Sequence, residues 1–185
     1  MGSIWVGERV RLRGIEPEDW EEFRRFDEDS EVQRDADMVQ LPRSDAASLR
    51  WAEEESVRKA ENDQFQLAIE ALETDTLVGA LSTNGTSRRA GRFSYGIAIG
   101  RDFHRRGYAS DAVVLLLRFM FGERRYHKAE AGVYGYNEAS LALHRHLGFQ
   151  EEGRLRDHEF LDGGFVDLVL MGITAKEFGE RHIRR

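Results

Sequence analysis

The spacing of hydrophobic positions changes several times along the chain, and each spacing predicts an element. Apolar side chains recur every three or four positions in one stretch, at Ala109, Ala112, Val113, Leu116, Leu117 and Met120. This spacing puts them on one wide face, which predicts a long amphipathic helix. An earlier helix is predicted to start at Pro17, because proline and the acids that follow it favour a first helical turn. Ser44 can cap a further helix that runs to about Asn62.

Alternation of apolar and polar residues predicts the strands. Residues 65–69 and 77–82 alternate on either side of a turn at 73–75, which is typical of an antiparallel hairpin. Further strands are predicted at 6–12, 93–99 and 128–134, with two more around the turn at Asp162-Gly163-Gly164. Segment 27–42 is predicted to be a loop, and Glu138 to Leu147 a short helix that Asn137 can cap. Strand, helix and strand from 93 to 134 predict a parallel crossover. The fold class is therefore α+β, or mixed α/β, around a largely antiparallel sheet.

Composition narrows the class of protein. The 185 residues fit one domain spanning 1–185, with no linker, repeat or low-complexity tract. The absence of cysteine excludes disulfides, thiolate metal sites and cysteine nucleophiles, and no histidine spacing indicates a metal. With 27 basic and 34 acidic residues, the net charge of −7 argues against a nucleic-acid partner. We expect a cytoplasmic protein without a membrane partner, because neither a spanning apolar run nor a signal peptide is seen.

The junction between the strand at 93–99 and the long helix carries the clearest chemistry. Its sequence is His104-Arg105-Arg106-Gly107-Tyr108-Ala109-Ser110. Amides in the first turn of a helix lack internal partners and the helix dipole is positive there, so the junction suits an anion. Gly107 allows a ligand to approach the backbone closely. By itself, the same segment also fits a solvated, basic start of a helix.

Two segments resemble the GNAT superfamily of N-acetyltransferases. His104 to Ala109 matches the family's acetyl-coenzyme A loop, Gln/Arg-x-x-Gly-x-Gly/Ala, except that His104 occupies the first position. Asn137 to Phe149 is similar to the family's Asn-x-x-Ser-x-x-x-Tyr-x-x-x-Gly-Phe segment, with intact spacing and His144 at the tyrosine position. The resemblance covers about residues 10–174. It is nearest to the RimJ/RimL-like branch, which includes ribosomal-protein N-terminal and spermidine acetyltransferases.

This resemblance implies a GNAT-like acyl-coenzyme A N-acyltransferase fold with a splayed parallel strand pair. It implies direct transfer of acetyl from acetyl-coenzyme A, a co-substrate, to a primary amine in a ternary complex, without a metal. The acceptor is a peptide N-terminus or a small-molecule amine, and homodimers are common in the relatives. The residues implied in binding coenzyme A are Ile97, Ala98, Ile99, His104, Arg105, Arg106, Gly107, Tyr108, Ala109, Ser110, Asn137 and Ser140. The alternative is a non-catalytic acyl-coenzyme A binding or sensing domain, since His104 and His144 depart from the motifs.

Proton transfer leaves alternatives open. Ser140 and His144 are four residues apart, on one helix face, and both are candidates for the general acid. For the general base, Ser94 stands nearest the position where some relatives have glutamate. The other candidates are an ordered water and Glu70, His158, Glu159 and Asp167.

Acidic residues concentrate near the N-terminus, in the segments 16–31 and 53–55. By resemblance, the first two helices and their loop wall the acceptor site. Acids there can attract a cationic amine. The alternative is an ordinary solvated helix face.

Overall fold

A computed structural model describes residues 2–182, which fold as two units. The first unit comprises residues 2–83 and 96–115, and the second comprises residues 84–95 and 116–182. The prediction of one domain over residues 1–185 stays a prediction. The elements in chain order are β1 (Val10–Arg13), a 3-10 helix (Pro17–Asp19), α1 (Trp20–Asp27), α2 (Ser30–Ala36), α3 (Asp45–Ser56), β2 (Gln66–Ala71), β3 (Thr76–Ser87), β4 (Arg92–Ile99), a 3-10 helix (Arg101–Phe103), α4 (Tyr108–Gly122), β5 (Lys128–Tyr134), α5 (Glu138–Leu147), β6 (Gln150–Leu161), β7 (Gly164–Thr174) and α6 (Ala175–His182).

Antiparallel pairing organises the strands of the first unit. β1 pairs with β2 from Val10–Ala71 to Arg13–Ala68, and β2 pairs with β3 through a register shift after Ile69. Helices α1 and α3 cover a core cluster of apolar residues that includes Ile15, Phe23, Ala52, Ala68 and Leu77. The aromatic rings of Trp20, Phe26 and Trp51 pack against this cluster and are only partly buried.

The second unit contains a mixed sheet. β4 and β5 are parallel and share a ladder of only three pairs, from Arg92–Lys128 to Ser94–Glu130. β5 runs antiparallel to β7 over the whole of its length, and β6 also runs antiparallel to β7. The predicted mixed α/β class and the parallel pair are thus confirmed. The short ladder is the expected form of a splayed pair.

The structure differs from the predicted elements in two helices and in the bounds of others: α3 ends at Ser56 and not at about Asn62, and β1 begins at Val10 and not at residue 6. Segment 27–42 contains helix α2, because the Asp29 side chain caps it by accepting from the amides of Glu31 at 3.0 Å and Val32 at 3.2 Å. The prediction of a loop across that segment was therefore wrong. Helix α6 was also not predicted; Phe178, which is fully buried, anchors it. By contrast, five of the six periodic residues of α4 are fully buried, as predicted, and Ala109 is half-buried. No helix among residues 2–182 is long and apolar enough to span a membrane.

Candidate active site: the loop before helix α4

The loop between β4 and α4, in the first unit, carries a row of exposed backbone amides. Arg105 and Gly107 both have left-handed backbone, with φ of 61° and 81°. The first amide to bond back into the turn is that of Asp111, which donates to the Gly107 carbonyl at 3.1 Å. Among residues 2–182, no acceptor is found for the backbone amides from Arg106 to Ser110. Unpaired amides at the positive end of a helix of 15 residues form a site for an anion.

Asp111 sits in the first turn of α4, where a carboxylate would compete with a bound anion for these amides. Its side chain is engaged elsewhere. The Oδ2 atom accepts hydrogen bonds from the backbone amides of Arg9 at 2.7 Å and Val10 at 3.0 Å. These two bonds hold the segment before β1 beside the first turn of α4.

Arg9 is a residue of this loop region that the sequence reasoning missed. A Cβ placed on Gly107 would lie 3.2 Å from the Cδ and Nε atoms of Arg9, so this side chain passes directly over the glycine. The Arg9 guanidinium has no hydrogen bond or ion pair with the described residues. With Arg106 and Tyr108 it borders an open pocket of about 360 Å³. No local sequence signal connects Arg9 to the loop, because only the fold brings the two together.

The basic residues of the loop are not equivalent. Arg101 forms a bidentate pair with Asp29, at 2.5 and 2.9 Å, and also binds Glu31, so its charge is neutralised locally. This pairing lowers the pKa of Asp29 to about 2. Arg106 donates to the Asp102 carbonyl at 3.1 Å. Arg105 makes no ion pair with the described residues. The free positive charge near the unpaired amides is therefore that of Arg105, Arg106 and Arg9.

His104 closes the loop onto the end of β4. Its Nε2–H donates to the Ile99 carbonyl at 2.8 Å, so this ring stabilises the turn between strand and helix. At the end of β4, Ile99 is buried, whereas Ile97 and Ala98 are half-buried. Ala98 and Ile99 lie tightly against β3, since a Cβ on Gly79 would collide with the Ala98 carbonyl oxygen. Contact of these residues with coenzyme A stays a prediction.

Candidate active site: Asn137, Ser140 and His144

Asn137 caps helix α5 in the second unit. Its side-chain oxygen accepts a hydrogen bond from the Ser140 amide at 2.9 Å, which satisfies one of the helix's free donors. The sequence predicted this cap, and the structure confirms it. The helix ends at Gly148, which has left-handed backbone with φ of 101°. The bounds Glu138–Leu147 are those predicted.

Ser140 and His144 are joined on one face of α5. The Nδ1–H of His144 donates to the Ser140 carbonyl at 2.7 Å, and the Ser140 Oγ lies 3.4 Å from the same nitrogen. Because a carbonyl can only accept, Nδ1 carries the proton, and in the neutral ring Nε2 carries a lone pair. Burial lowers the pKa of His144, against the opposing effect of its bond to Ser140. At neutral pH the imidazole is therefore neutral.

An aromatic environment surrounds the His144 ring. Its centroid lies 5.9 Å from that of Tyr95 and 5.0 Å from that of Phe149. Both the His144 Nε2 and the Tyr95 hydroxyl are buried without a hydrogen-bond partner among the described residues. Burial also raises the pKa of the Tyr95 hydroxyl, which keeps it protonated. Buried polar atoms without partners are uncommon in a folded protein, and these two lie on neighbouring rings of one aromatic cluster.

The candidates for the general base differ in their ion pairs and in their exposure to solvent. Glu70 is buried and paired with Arg13 at 2.5 Å and with Arg11, which gives it a structural role in the first unit. In the second unit, the amide of Asp157 and the guanidinium of Arg154 lower the pKa of Asp167, which makes it a weak base. The Nε2 atom of His158 lies 3.6 Å from the Oε1 atom of Glu159, and both side chains are exposed. Ser94 lies in the three-pair ladder with β5.

Comparison with known proteins identifies the family. Residues 9–150 match the acetyltransferase (GNAT) domain model. The SPbeta prophage-derived uncharacterized N-acetyltransferase YokL of Bacillus subtilis is 36% identical over 181 residues, which cover 97% of this chain and 98% of that protein. The chain therefore belongs to the GNAT acetyltransferase family and is an acetyltransferase.

Solved structures share its fold. RimL, a ribosomal L7/L12 alpha-N-protein acetyltransferase in complex with coenzyme A, is 16% identical with a TM-score of 0.80, over 94% of this chain and 98% of that one. The spermidine N-acetyltransferase from Vibrio cholerae, in complex with coenzyme A and spermine, is 18% identical with a TM-score of 0.78, over 91% and 97%. At these low sequence identities, the two comparisons show a shared fold and nothing about the substrate.

Proposed function

We propose that the protein transfers the acetyl group of acetyl-coenzyme A to a primary amine. The observation that carries this proposal is the row of unpaired amides at Gly107 and the start of α4, in a chain that belongs to the GNAT family. A coenzyme A pyrophosphate is the kind of anion that such amides bind. Arg105 and Arg106 add charge to the same loop, and Ile97 to Ile99 offer backbone groups to the pantetheine arm.

The reaction needs no covalent protein intermediate. The neutral amine nitrogen attacks the thioester carbonyl carbon, so that a C–N bond forms and the C–S bond breaks. The amine loses one proton to water, the departing thiolate gains one from a general acid, and that acid then regains its proton from water. Ser140 is the better donor in this proposal, because His144 is neutral and its only N–H is bonded to the Ser140 carbonyl. Asn137 holds the start of α5 in place for Ser140.

The RimJ/RimL-like branch remains the proposed place within the family. The match of fold to RimL and to the spermidine enzyme supports it. Peptide N-termini and small amines are the acceptor classes that this branch suggests. A cytoplasmic location, a homodimeric state and the absence of nucleic-acid or membrane partners stay predictions.

Release of free thiol tests the proposed activity. The purified protein is incubated with acetyl-coenzyme A and a panel of primary amines, and a thiol-reactive dye follows the product. We expect release that depends on both the protein and the amine. Tight binding of acetyl-coenzyme A, measured by calorimetry, without thiol release for any amine would contradict catalysis and favour a sensing domain.

A further inference from the structure

The first unit contains an open cavity of about 320 Å³. Its walls come from α1, α2, the segment between α2 and α3, the middle of α3, one residue each of β2 and β3, and the end of β4. Ala98, Ile99 and Gly100 form the wall on the β4 side. These are the residues to which the proposed function assigns the pantetheine arm and its neighbourhood. A molecule bound in this cavity would therefore lie beside the group that gives up the acetyl.

Aromatic rings form another part of the wall. Phe23 contacts Trp51 edge to face, with ring centroids 5.0 Å apart, and contacts Phe26 in the same way at 6.3 Å. Phe26 also packs on the end of β4, since a Cβ on Gly100 would come within 2.5 Å of its ring. Each ring is held by its neighbours. The cavity thus presents a fixed aromatic surface, which favours a flat or branched apolar body over a hydrated one.

The charged residues that line the cavity, within residues 2–182, are Asp27, Asp37 and Arg43. The positive charge of Arg43 favours the ionised form of Asp27, and the Arg43 Cζ atom lies 5.9 Å from the centroid of the Trp51 ring. Burial nevertheless raises the pKa of Asp27. Asp37 already interacts with another group among the described residues, so Asp27 is the lining carboxylate that can hold an ammonium group. One carboxylate matches one ammonium group and does not match several.

Five of the nine acids in the stretch 16–31 are already paired with arginines. Asp19 binds Arg13 at 2.7 Å, Glu22 binds Arg25, Glu28 binds Arg24 at 3.2 Å, and both Asp29 and Glu31 bind Arg101. Of the acids in this stretch, Asp27 alone lines the cavity. An acceptor with several ammonium groups would leave charges without partners against an apolar wall, which is costly.

We propose that this cavity binds the acceptor, and that the acceptor is a primary monoamine with an aromatic or branched aliphatic body. The body rests on Phe26 and Trp51. The ammonium group is held at Asp27 until it loses its proton to water and attacks the thioester, with the bond changes given above. This inference rests on the proposed acetyltransferase function and narrows its substrate class.

Steady-state thiol release with different amines tests the proposal. The probes are 2-phenylethylamine, 3-methylbutylamine, spermidine and the aminoglycoside kanamycin, each with saturating acetyl-coenzyme A. We expect kcat/KM to be at least tenfold higher for 2-phenylethylamine than for spermidine or kanamycin. Equal or better turnover of spermidine or kanamycin would overturn the inference and leave the acetyltransferase function standing. Thiol release with none of these four amines, but with a peptide that has a free N-terminus, would also overturn the inference and leave the acetyltransferase function standing. Thiol release with neither the amines nor the peptide, despite coenzyme A binding, would overturn the proposed function itself.

Variants locate the effect in the cavity. Trp51→Ala is expected to raise KM for 2-phenylethylamine at least tenfold, with an unchanged Kd for coenzyme A, whereas Trp51→Phe keeps an aromatic ring and restores most of the affinity. Asp27→Asn is expected to raise the same KM several-fold. Glu53→Gln is the matched control, because Glu53 is an exposed acid on α3 outside the cavity. The placement of the acceptor would be overturned by two results together. The first is equal KM values for Asp27→Asn, Trp51→Phe and Glu53→Gln, and the second is an unchanged KM for a folded Trp51→Ala.

Discussion

His144 donates its Nδ1–H to the backbone carbonyl of Ser140 at 2.7 Å, one helical turn earlier in α5. This bond fixes the tautomer, so the buried Nε2 can accept a hydrogen bond but has no proton to give in the neutral ring. The sequence left Ser140 and His144 equally weighted as general acid. The bond between them separates their chemistry, because only the serine hydroxyl has a proton to give.

Removing each candidate acid should have unequal effects. We expect Ser140→Ala to lower kcat at least tenfold, about 1.4 kcal/mol of barrier, and His144→Phe to lower it less. The reason is that the serine hydroxyl has a proton available, whereas burial lowers the pKa of His144. The measurement is kcat against pH for both variants, with His146→Phe as control, since His146 is exposed on the same helix. A larger loss in His144→Phe, with disappearance of a pH-dependent limb, would identify the imidazole as the acid.

The stability of the protein should fall in mild acid because of His144. Its folded pKa lies below the unfolded value of 6.5. At pH values between these two pKa values, the unfolded state therefore binds more protons than the folded state. The free energy of unfolding then decreases as pH drops from about 6.5 toward the folded pKa. We expect thermal unfolding of His144→Phe to depend less on pH than that of the wild type in this range. An identical pH dependence of His144→Phe and His146→Phe would rule out His144 as the cause.

Substitution of Gly107 should abolish cofactor binding. Gly107→Glu places a negative side chain among the unpaired amides, on backbone with φ of 81°. Gly163→Glu is a close control, because Gly163 has the same φ of 81° and no atom near its Cβ position. Calorimetry with coenzyme A should show no binding for the first variant and wild-type affinity for the second. The assignment of the loop fails if both variants bind equally well.

Arg9 is expected to add affinity through the phosphates of coenzyme A. Loss of one hydrogen bond to a charged group costs roughly 1.5–3 kcal/mol, so Arg9→Gln should weaken coenzyme A binding about tenfold or more. Pantetheine, which lacks phosphates, should bind both proteins equally. Arg50→Gln is the control, because Arg50 is 79% exposed on α3 and, within residues 2–182, is paired with Glu54 alone. An equal loss for pantetheine would show that Arg9 acts on the fold of the loop instead.

Local patterns in the sequence were sufficient for some elements and insufficient for others. The apolar repeat of α4 and the cap at Asn137 act within a few residues, so both were predicted. Helix α2 was missed because its stability depends on the Asp29 cap and on Arg101, which holds Asp29 and Glu31 from far along the chain.

The same distinction applies to the candidate site. The motif residues of the loop before α4 could be named from the sequence, since the amides that bind an anion follow from the start of a helix. The position of Arg9 above Gly107 and the pairing of most N-terminal acids with arginines could not be predicted. Both arise from side chains that only tertiary folding brings together.

The bonds from Asp111 to the amides of Arg9 and Val10 also bear on the order of folding. They join residues 102 and 101 positions apart, so the strand β1 is synthesised long before the helix that holds it. Contacts of such separation form slowly, because a long loop must close before they stabilise the chain. On the ribosome, the first unit can be completed only after α4 has emerged. The anion-binding loop and the arginine above it are therefore assembled in the same late step.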